Sequence, residues 1–106
     1  MMNEPKISIV TVCFNAEKYM ESTILSVIGQ SYKNMEFIVV DGESKDSTVD
    51  IINKYADHIT NWVSEKDKGV YDAMNKGVAM ATGDFINFMN AHRWFSLHSK
   101  WARVSF

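Results

Sequence analysis

The sequence has little of the residues that mark several common protein classes. It contains one cysteine and one proline among 106 residues, which excludes an internal disulfide framework and suits a reducing compartment. No run approaches the ~18 apolar residues of a membrane-spanning helix, and the initial MMNEPK lacks the apolar stretch of a signal peptide. The formal net charge of -2 gives no reason to expect nucleic-acid binding. We therefore expect a single cytoplasmic domain without a membrane span.

Glycine-rich phosphate loops are missing as well. The first apolar run leads into Cys13, Phe14 and Asn15 without a G-x-G-x-x-G pattern, and no P-loop pattern occurs anywhere. Cys13 itself lies in the apolar run and is interpreted as a small buried hydrophobe. A bound nucleotide would therefore be held through its base and ribose by side chains, with a cation neutralising its phosphates.

Apolar runs alternate with helix-like patterns along the chain. Asn15 is placed as a helix N-cap and Gly83 as a helix stop. This alternation predicts an α/β fold with a doubly wound parallel sheet of strand order 3-2-1-4. The predicted strands are 7–14, 37–40, 59–63 and 85–89, and the predicted helices are 16–30, 46 or 47 to 55, and 71–81.

The stretch from Ile38 to Thr48 carries the strongest chemical signal. A β-branched run ends at Asp41, which is followed by Gly42 and a cluster of short polar residues. Ligands of open α/β sheets bind outside the carboxyl ends of the strands, where we expect both Asp41 and Ala91 to lie. Gly42 permits a sharp turn, and Asp46 is suited to capping the next helix. The stretch predicts carboxylates at the rim of a nucleotide site.

Four blocks of the sequence resemble the family 2 glycosyltransferases of the GT-A fold. The blocks are ISIVTVCFN, EFIVVDGESKDST, EKDKGVYDAMNKG and ATGDFINFMNA, and the resemblance runs from Lys6 to Ala91. It implies the Rossmann-like nucleotide-binding half of such an enzyme. It also implies a nucleotide-diphosphate sugar as donor, a hydroxyl acceptor, inversion at the anomeric carbon, and a role in glycan or polysaccharide biosynthesis.

The resemblance assigns roles to particular positions. It implies that Asp41 accepts a hydrogen bond from the nucleobase, usually uracil, whose N3–H is a donor. Asp46 is either a ligand contact or only a helix cap, and Glu65 is either a ligand contact or a solvated charge. Lys76 either approaches the diphosphate or is merely exposed. The full set of implied nucleotide-sugar-binding residues is Thr11, Asn15, Asp41, Asp46, Asp67, Gly69, Asn75 and Lys76.

The resemblance fails after Ala91. The family has an acidic motif there that binds Mg²⁺ or Mn²⁺ between the donor phosphates, whereas this chain has His92 and Arg93. Hard divalent cations prefer carboxylate oxygens. His92 would be a weak Mn²⁺ ligand, and Arg93 would repel a metal or contact the diphosphate directly. No residue matches the family's catalytic base either, so we assign no catalytic residue and expect no sugar transfer by this chain alone.

Residues 92–106 differ from the rest in composition. They carry three basic residues and no acidic one, so all 13 acidic residues precede them. We divide the chain into residues 1–91, the amino-terminal part of the family's domain, and a tail at 92–106 that is not native to the fold. We expect this tail to stay out of the sheet, with at most a short amphipathic helix. Apolar surface left uncovered would favour self-association.

Three other interpretations remain open. The chain could be a non-catalytic module that binds uridine nucleotides, or a truncation product that does not fold stably. A flavodoxin-like or receiver-like domain would share the fold without a preference for uridine, but would leave the four ordered blocks unexplained.

Overall fold

The computed structural model describes residues 5–89 together with the backbone of residues 99–103. Strands and helices alternate as the sequence predicts, and one further strand follows them. Within the described part no helix is long and apolar enough to cross a membrane. The elements are β1 Ile7–Cys13, α1 Met20–Ile28, β2 Met35–Asp41, α2 Thr48–Lys54, a 3₁₀ turn at Ala56–His58, β3 Asn61–Ser64, α3 Val70–Met80, β4 Phe85–Met89 and β5 Ser99–Arg103.

The strands form one sheet in the order β3-β2-β1-β4-β5. The first four pair in parallel, which confirms the predicted parallel α/β sheet and its 3-2-1-4 order. Cys13 lies opposite Asp41, and Asp41 lies opposite Ser64, so three strands end side by side. Parallel strands place these carboxyl ends at one edge of the sheet, and the connecting loops meet there.

The side chains of β1 alternate between the two faces of the sheet, as a strand buried on both faces requires. Ile9 and Cys13 join the core beneath α1 and α2. Val10 and Val12 join the core beneath α3. The interior of the sheet is therefore held from both sides, which fixes the positions of the strand ends.

The start of α1 differs from the prediction. The helix begins at Met20 after Tyr19, not at Ala16, and Asn15 is not its N-cap. Asn15 instead has a left-handed backbone with φ of 47°. Its Oδ1 accepts a hydrogen bond from the Lys45 backbone N–H at 2.8 Å. A contact made 30 residues away in sequence replaces the local cap that the pattern suggested.

The end of α3 corrects a second detail. The helix stops at Met80, and Ala81 follows in an extended conformation, so Gly83 is not its cap. Gly83 is needed for a close approach to β1. A Cβ added at Gly83 would lie 2.6 Å from Ser8 Oγ and 2.8 Å from the Lys6 carbonyl oxygen. The glycine therefore serves packing of the α3–β4 connection against the amino end of β1.

The fifth strand overturns the expectation that the tail stays out of the sheet. Residues Ser99–Arg103 pair antiparallel with β4, with Phe85 opposite Arg103 and Met89 opposite Ser99. An open strand edge offers unpaired backbone groups, so a segment can join it without a strong side-chain pattern. Ala91 and the remaining tail residues lie outside the described residues, and a division after residue 91 stays a prediction.

Asn87 of β4 carries a buried amide oxygen with no partner among the described residues. The residue is 4% exposed, its Oδ1 accepts no hydrogen bond, and it lines an apolar cavity of about 190 Å³ beside Ile9 and Val27. Asn87→Leu should raise the free energy of unfolding by about 1 kcal/mol, because an apolar group of similar shape removes the unpaired acceptor. Urea denaturation measures this.

The matched control for that substitution is Asn87→Ala. It removes the same oxygen but adds no methyl groups to the cavity, so its gain should be smaller or absent. A loss of stability on Asn87→Leu would show that the amide is satisfied in solution.

Candidate functional site

The carboxyl edge of the sheet is formed by residues 14–17, 41–48 and 64–69. Backbone hydrogen bonds fix its three segments to one another: the Gly42 N–H donates to the Cys13 carbonyl at 2.9 Å, and the Glu65 N–H donates to the Asp41 carbonyl at 3.0 Å. These bonds extend the parallel hydrogen-bond pattern by one residue beyond the strands. The first residues of the loops are therefore held in place. Candidate site residues from distant parts of the sequence are brought together here.

Asp41 is the most enclosed residue of the carboxyl edge. Its side chain is fully buried, and its two oxygens accept hydrogen bonds from surrounding donors. Oδ2 accepts from the Ser44 N–H at 2.9 Å and from Ser64 Oγ at 2.7 Å. Oδ1 accepts from Ser44 Oγ and from Cys13 Sγ. A buried carboxylate needs such donors, and those found within the described residues come from Cys13, Ser44 and Ser64.

Cys13 is buried, as the sequence predicts, and it also contributes to this cluster. Its Sγ lies 3.4 Å from Asp41 Oδ1 and 3.7 Å from the Val40 carbonyl oxygen. Burial raises the pKa of the Cys13 thiol, and the charge of Asp41 raises that pKa further. The thiol therefore stays protonated and acts as a weak donor to Asp41, not as a nucleophile.

Residues 14–17 and 44–48 are joined by hydrogen bonds in both directions. The Asn15 N–H donates to Ser44 Oγ at 2.8 Å, and the Lys45 N–H donates back to Asn15 Oδ1. Two residues further along the first loop, the Glu17 N–H donates to Asp46 Oδ2 at 3.2 Å. These contacts make the two loops one unit. The side chain of Asn15, one of the predicted nucleotide-sugar-binding residues, is used inside the edge.

Asp46 is also committed to internal contacts. Its Oδ1 accepts from the Thr48 N–H at 2.9 Å and from Thr48 Oγ1, at the start of α2. Burial raises the pKa of the Asp46 carboxyl, but the hydrogen bonds from Thr48 and Glu17 outweigh it and lower that pKa. The N-cap position itself is Ser47. The hydrogen bonds that Asp46 accepts from Thr48 are those of a residue at the start of a helix. A further hydrogen bond joins Asp46 to the Glu17 amide of the neighbouring loop.

Thr11 lies deeper than the other predicted contacts. It pairs with Val39, two residues before the strand ends, and it is fully buried. Its Oγ1 has no hydrogen-bond partner among the described residues. The structure therefore places Thr11 beneath the carboxyl edge, on the face covered by α1, and not on its surface.

Residues 64–69 connect β3 to α3. They carry Asp67, and they end at Gly69, the N-cap of α3. Asp67 Oδ1 accepts from the Gly69 N–H at 3.0 Å, and Gly69 has φ of 123°, a backbone region that favours glycine. The other carboxylate oxygen of Asp67 faces β2: a Cβ added at Gly42 would lie 2.7 Å from it. Glycine at position 42 thus leaves room for Asp67 to approach the end of β2.

Lys76 supports the same loop from α3. Its Nζ lies 3.2 Å from Glu65 Oε1 and donates to the Lys66 carbonyl at 2.9 Å. Glu65 is therefore ion-paired as well as solvent-exposed. Asn75, the neighbouring predicted contact, lies on the exposed face of α3. The structure brings Lys76 to the loop, while it does not bring Asn75 to Asp41.

Phe14 is a candidate site residue that the sequence patterns did not single out. Its ring is 61% exposed at the first position after β1, and its Cδ1 would lie 3.4 Å from a Cβ added at Gly42. Asp67 Oδ2 would lie 2.7 Å from the same added Cβ, so Phe14 and Asp67 both lie close to Gly42. An exposed aromatic ring directly after a buried strand, at the binding edge of a parallel sheet, was a usable signal for a base-stacking surface.

The described residues do not fit a divalent metal. No group of three or more histidine, cysteine, aspartate or glutamate side chains converges within residues 5–89. The carboxylates of Asp41 and Asp46 accept hydrogen bonds from their own loops instead. His92 and Arg93, where the family's metal-binding acids are expected, lie outside the described residues.

The 3-2-1-4 parallel sheet, with acidic loops at its carboxyl edge, is a doubly wound α/β fold of the kind that binds ligands at that edge. The profile of Glycosyl transferase family 2 matches residues 8–101, and the chain belongs to that family. The match extends beyond Ala91, where the predicted resemblance ended. The fold class and family predicted from the sequence are thereby confirmed.

Known proteins similar to this chain are much longer. It is 38% identical over 97 residues to the uncharacterized glycosyltransferase MT1564 of Mycobacterium tuberculosis (strain CDC 1551 / Oshkosh), covering 91% of this chain and 37% of that relative. The mannosyltransferase PcManGT of Pyrobaculum calidifontis, solved with GDP-Man and Mn²⁺, superposes with a TM-score of 0.78 at 24% identity. That match covers 84% of this chain and 28% of PcManGT.

A second solved structure is TarS 1-349 of S. aureus in complex with UDP-GlcNAc. It superposes with a TM-score of 0.75 at 26% identity, covering 81% of this chain and 26% of TarS 1-349. The chain thus spans roughly a quarter to a third of the proteins that it resembles.

Proposed function

We propose that this chain is the nucleotide-sugar-binding part of a glycosyltransferase that uses a UDP-sugar. In the whole protein the sugar would pass to a hydroxyl acceptor during glycan or polysaccharide biosynthesis. The observation that carries the proposal is the carboxyl edge, where a buried carboxylate and an exposed aromatic ring lie on neighbouring strand ends. Support comes from the similar structures, which hold UDP-GlcNAc in one case and GDP-Man in another.

Uracil would be recognised by Asp41 and Phe14 together. The carboxylate accepts the N3–H, and the exposed ring of Phe14 stacks on the base. Because the oxygens of Asp41 already accept internal bonds, one donor must turn away to admit the base. Ser64 is suited to this, since its Oγ is the donor that reaches Asp41 from an exposed residue at the end of β3.

The other predicted residues take supporting places in this proposal. Asp67 and Gly69 form the loop that lies over the nucleotide, and Lys76 holds that loop while its charge faces the diphosphate side. Asn75 remains a proposed contact from the exposed face of α3. Thr11, Asn15 and Asp46 act from within the edge, because their side chains are buried or bonded inside it.

Transfer itself requires groups that this chain does not supply within its described residues. The family resemblance implies a further half of the domain that supplies the acceptor site and the base, which would deprotonate the acceptor hydroxyl. A binding module without catalysis is the second candidate, favoured by His92 and Arg93, which stand in the sequence where the family's metal-binding acids are expected. For both candidates, the glycosyltransferase part and the binding module, we propose a cytoplasmic location. We also propose that an uncovered face of the sheet favours self-association.

Calorimetry with UDP tests the proposal. Asp41→Asn should weaken UDP binding at least tenfold, because losing a charge-assisted hydrogen bond costs about 1.5–3 kcal/mol. Asp57→Asn, an exposed acid remote in sequence from the carboxyl edge, is the matched control and should bind normally. Retention of full affinity by Asp41→Asn would remove Asp41 from the site.

A ligand analogue tests the same hydrogen bond without altering the buried carboxylate. The wild-type chain should bind N3-methyl-UDP at least tenfold more weakly than UDP, since the methyl group replaces the donor. Equal affinities, or no binding of UDP, would contradict the proposed function. Measuring nucleotide release from UDP-sugars then separates an enzyme from a binding module.

A further inference from the structure

Ser44 makes three hydrogen bonds that connect two parts of the carboxyl edge. Its Oγ and its N–H each donate to one oxygen of Asp41, the latter at 2.9 Å. The same Oγ accepts from the Asn15 N–H at 2.8 Å. Within the described residues, this hydroxyl joins the Asp41 carboxylate to the turn that follows Phe14.

The backbone on both sides of this hydroxyl is unusual. Asn15 has φ of 47° and Glu43 has φ of 65°, so each adopts the left-handed region that residues other than glycine rarely occupy. Such conformations persist only where surrounding contacts determine them. Ser44 supplies one of those contacts to Asn15 and directly follows Glu43. The peptide between Phe14 and Asn15 is thereby fixed, and with it the starting point of the Phe14 side chain.

Neighbouring polar residues do not share this double role. Ser64 Oγ donates to Asp41 but makes no hydrogen bond with residues 14–17. Thr48 and Asp46 hold the amides of Ala16 and Glu17 without touching Asp41. Without the Ser44 hydroxyl, Asp41 Oδ1 would lose a donor and the Asn15 N–H would lose its acceptor, while the Ser44 N–H would still bond Asp41 Oδ2.

We infer that Ser44 is a positioning residue, whose hydroxyl aligns the Asp41 carboxylate and the Phe14 ring so that both meet one nucleobase. This inference rests on the proposed function and adds a residue that does not itself contact the ligand. A rigid arrangement of acceptor and ring lowers the ordering cost of binding. Removal of the hydroxyl should therefore weaken recognition of the base specifically, and not merely lower the stability of the fold.

Amide hydrogen exchange followed by NMR tests the structural half. Ser44→Ala should speed exchange of the Asn15 amide at least tenfold, while the Ala16 amide, bonded to Thr48 Oγ1 at 2.8 Å, stays protected. Ser64→Ala is the matched control, because it removes a hydroxyl from Asp41 and leaves the Asn15 amide bonded. Unchanged exchange at Asn15 in Ser44→Ala would overturn the inference.

Ligand discrimination tests the functional half. Ser44→Ala should reduce the UDP to N3-methyl-UDP affinity ratio at least threefold, and Ser44→Thr, which keeps the hydroxyl, should restore it. Ser47→Ala serves as the neutral control at an exposed serine of the same segment. A purely structural role would lower both affinities equally and leave the ratio unchanged, which would overturn the inference while UDP binding upheld the proposed function. Absence of UDP binding by the wild-type chain would contradict both.

Discussion

Glu36→Gln should lower the free energy of unfolding by about 3 kcal/mol, because Glu36 is a buried carboxylate shared by three segments. It is 7% exposed at the amino end of the sheet. Oε2 accepts from Ser8 Oγ and from the Thr82 N–H, both at 2.6 Å, and Oε1 lies 3.5 Å from Lys6 Nζ. Glutamine would turn an amide NH₂ toward one of these donors and would lose the charge.

The same carboxylate makes the stability depend on pH. Burial raises the pKa of Glu36, but the hydrogen bonds from Ser8 and Thr82 and the charge of Lys6 outweigh it and hold that pKa below its ordinary value of 4.5. The contribution is therefore complete above the unfolded-state pKa and is lost as the pH falls through the lower folded-state pKa. Glu36→Gln should destabilise the protein strongly at pH 7 and much less in acid.

Urea denaturation at several pH values measures both effects. Glu43→Gln is the matched control, since Glu43 pairs with Lys45 on the surface and should change stability little. The Glu36→Gln variant should still lose some stability in acid, because the pKa of Asp46 is also lowered. An equal loss at pH 7 and at low pH would contradict the ionised network at Glu36.

The sheet was predictable because its strands carry their own signal. Runs such as Ile7–Cys13 and Met35–Asp41 are largely apolar and buried on both faces, and the helices between them fix a parallel connection by the handedness rule. Strand ends therefore fall at one edge, and Asp41 could be placed there from sequence alone. The described strands and helices differ from the predicted ones mainly at their ends.

The interior of the carboxyl edge was not predictable in the same way. Asn15 looked like a helix cap because its neighbours are locally suited to one, but its side chain and amide bond residues about 30 positions away. Such long-range contacts depend on loops meeting in space, and no local pattern encodes them. The same holds for Ser64, whose Oγ reaches Asp41 from 23 residues away in sequence.

The fifth strand was missed for another reason. Charge and hydrophobic alternation in residues 92–106 carried no strand signal, and those are the features that sequence patterns report. Pairing of residues 99–103 with β4 needs only backbone groups opposite an open edge. A composition break therefore marked a change in sequence character without excluding the segment from the sheet.

Gly77→Ala should lower the free energy of unfolding by at least about 2 kcal/mol, although alanine favours helices over glycine by about 1 kcal/mol. Gly77 lies where α3 crosses β1, and an added Cβ would lie 2.3 Å from Val10 Cγ1. Val10 is fully buried in the central part of the sheet and has a stiff branched side chain. The helix would have to move off the sheet to make room.

A double-mutant cycle with Val10→Ala separates this steric cause from a general sensitivity of α3. Val10→Ala alone should destabilise the protein by about 2 kcal/mol through the cavity that it leaves. In that background Gly77→Ala should cost less than about 0.5 kcal/mol, or should stabilise, because the opposing methyl groups are gone and the helix propensity of alanine remains. Thermal or urea unfolding of the four proteins gives the coupling. An equal cost of Gly77→Ala in both backgrounds would show that α3 does not rest on β1 at this contact, and the close packing that supports the end of β1 would have to come from elsewhere.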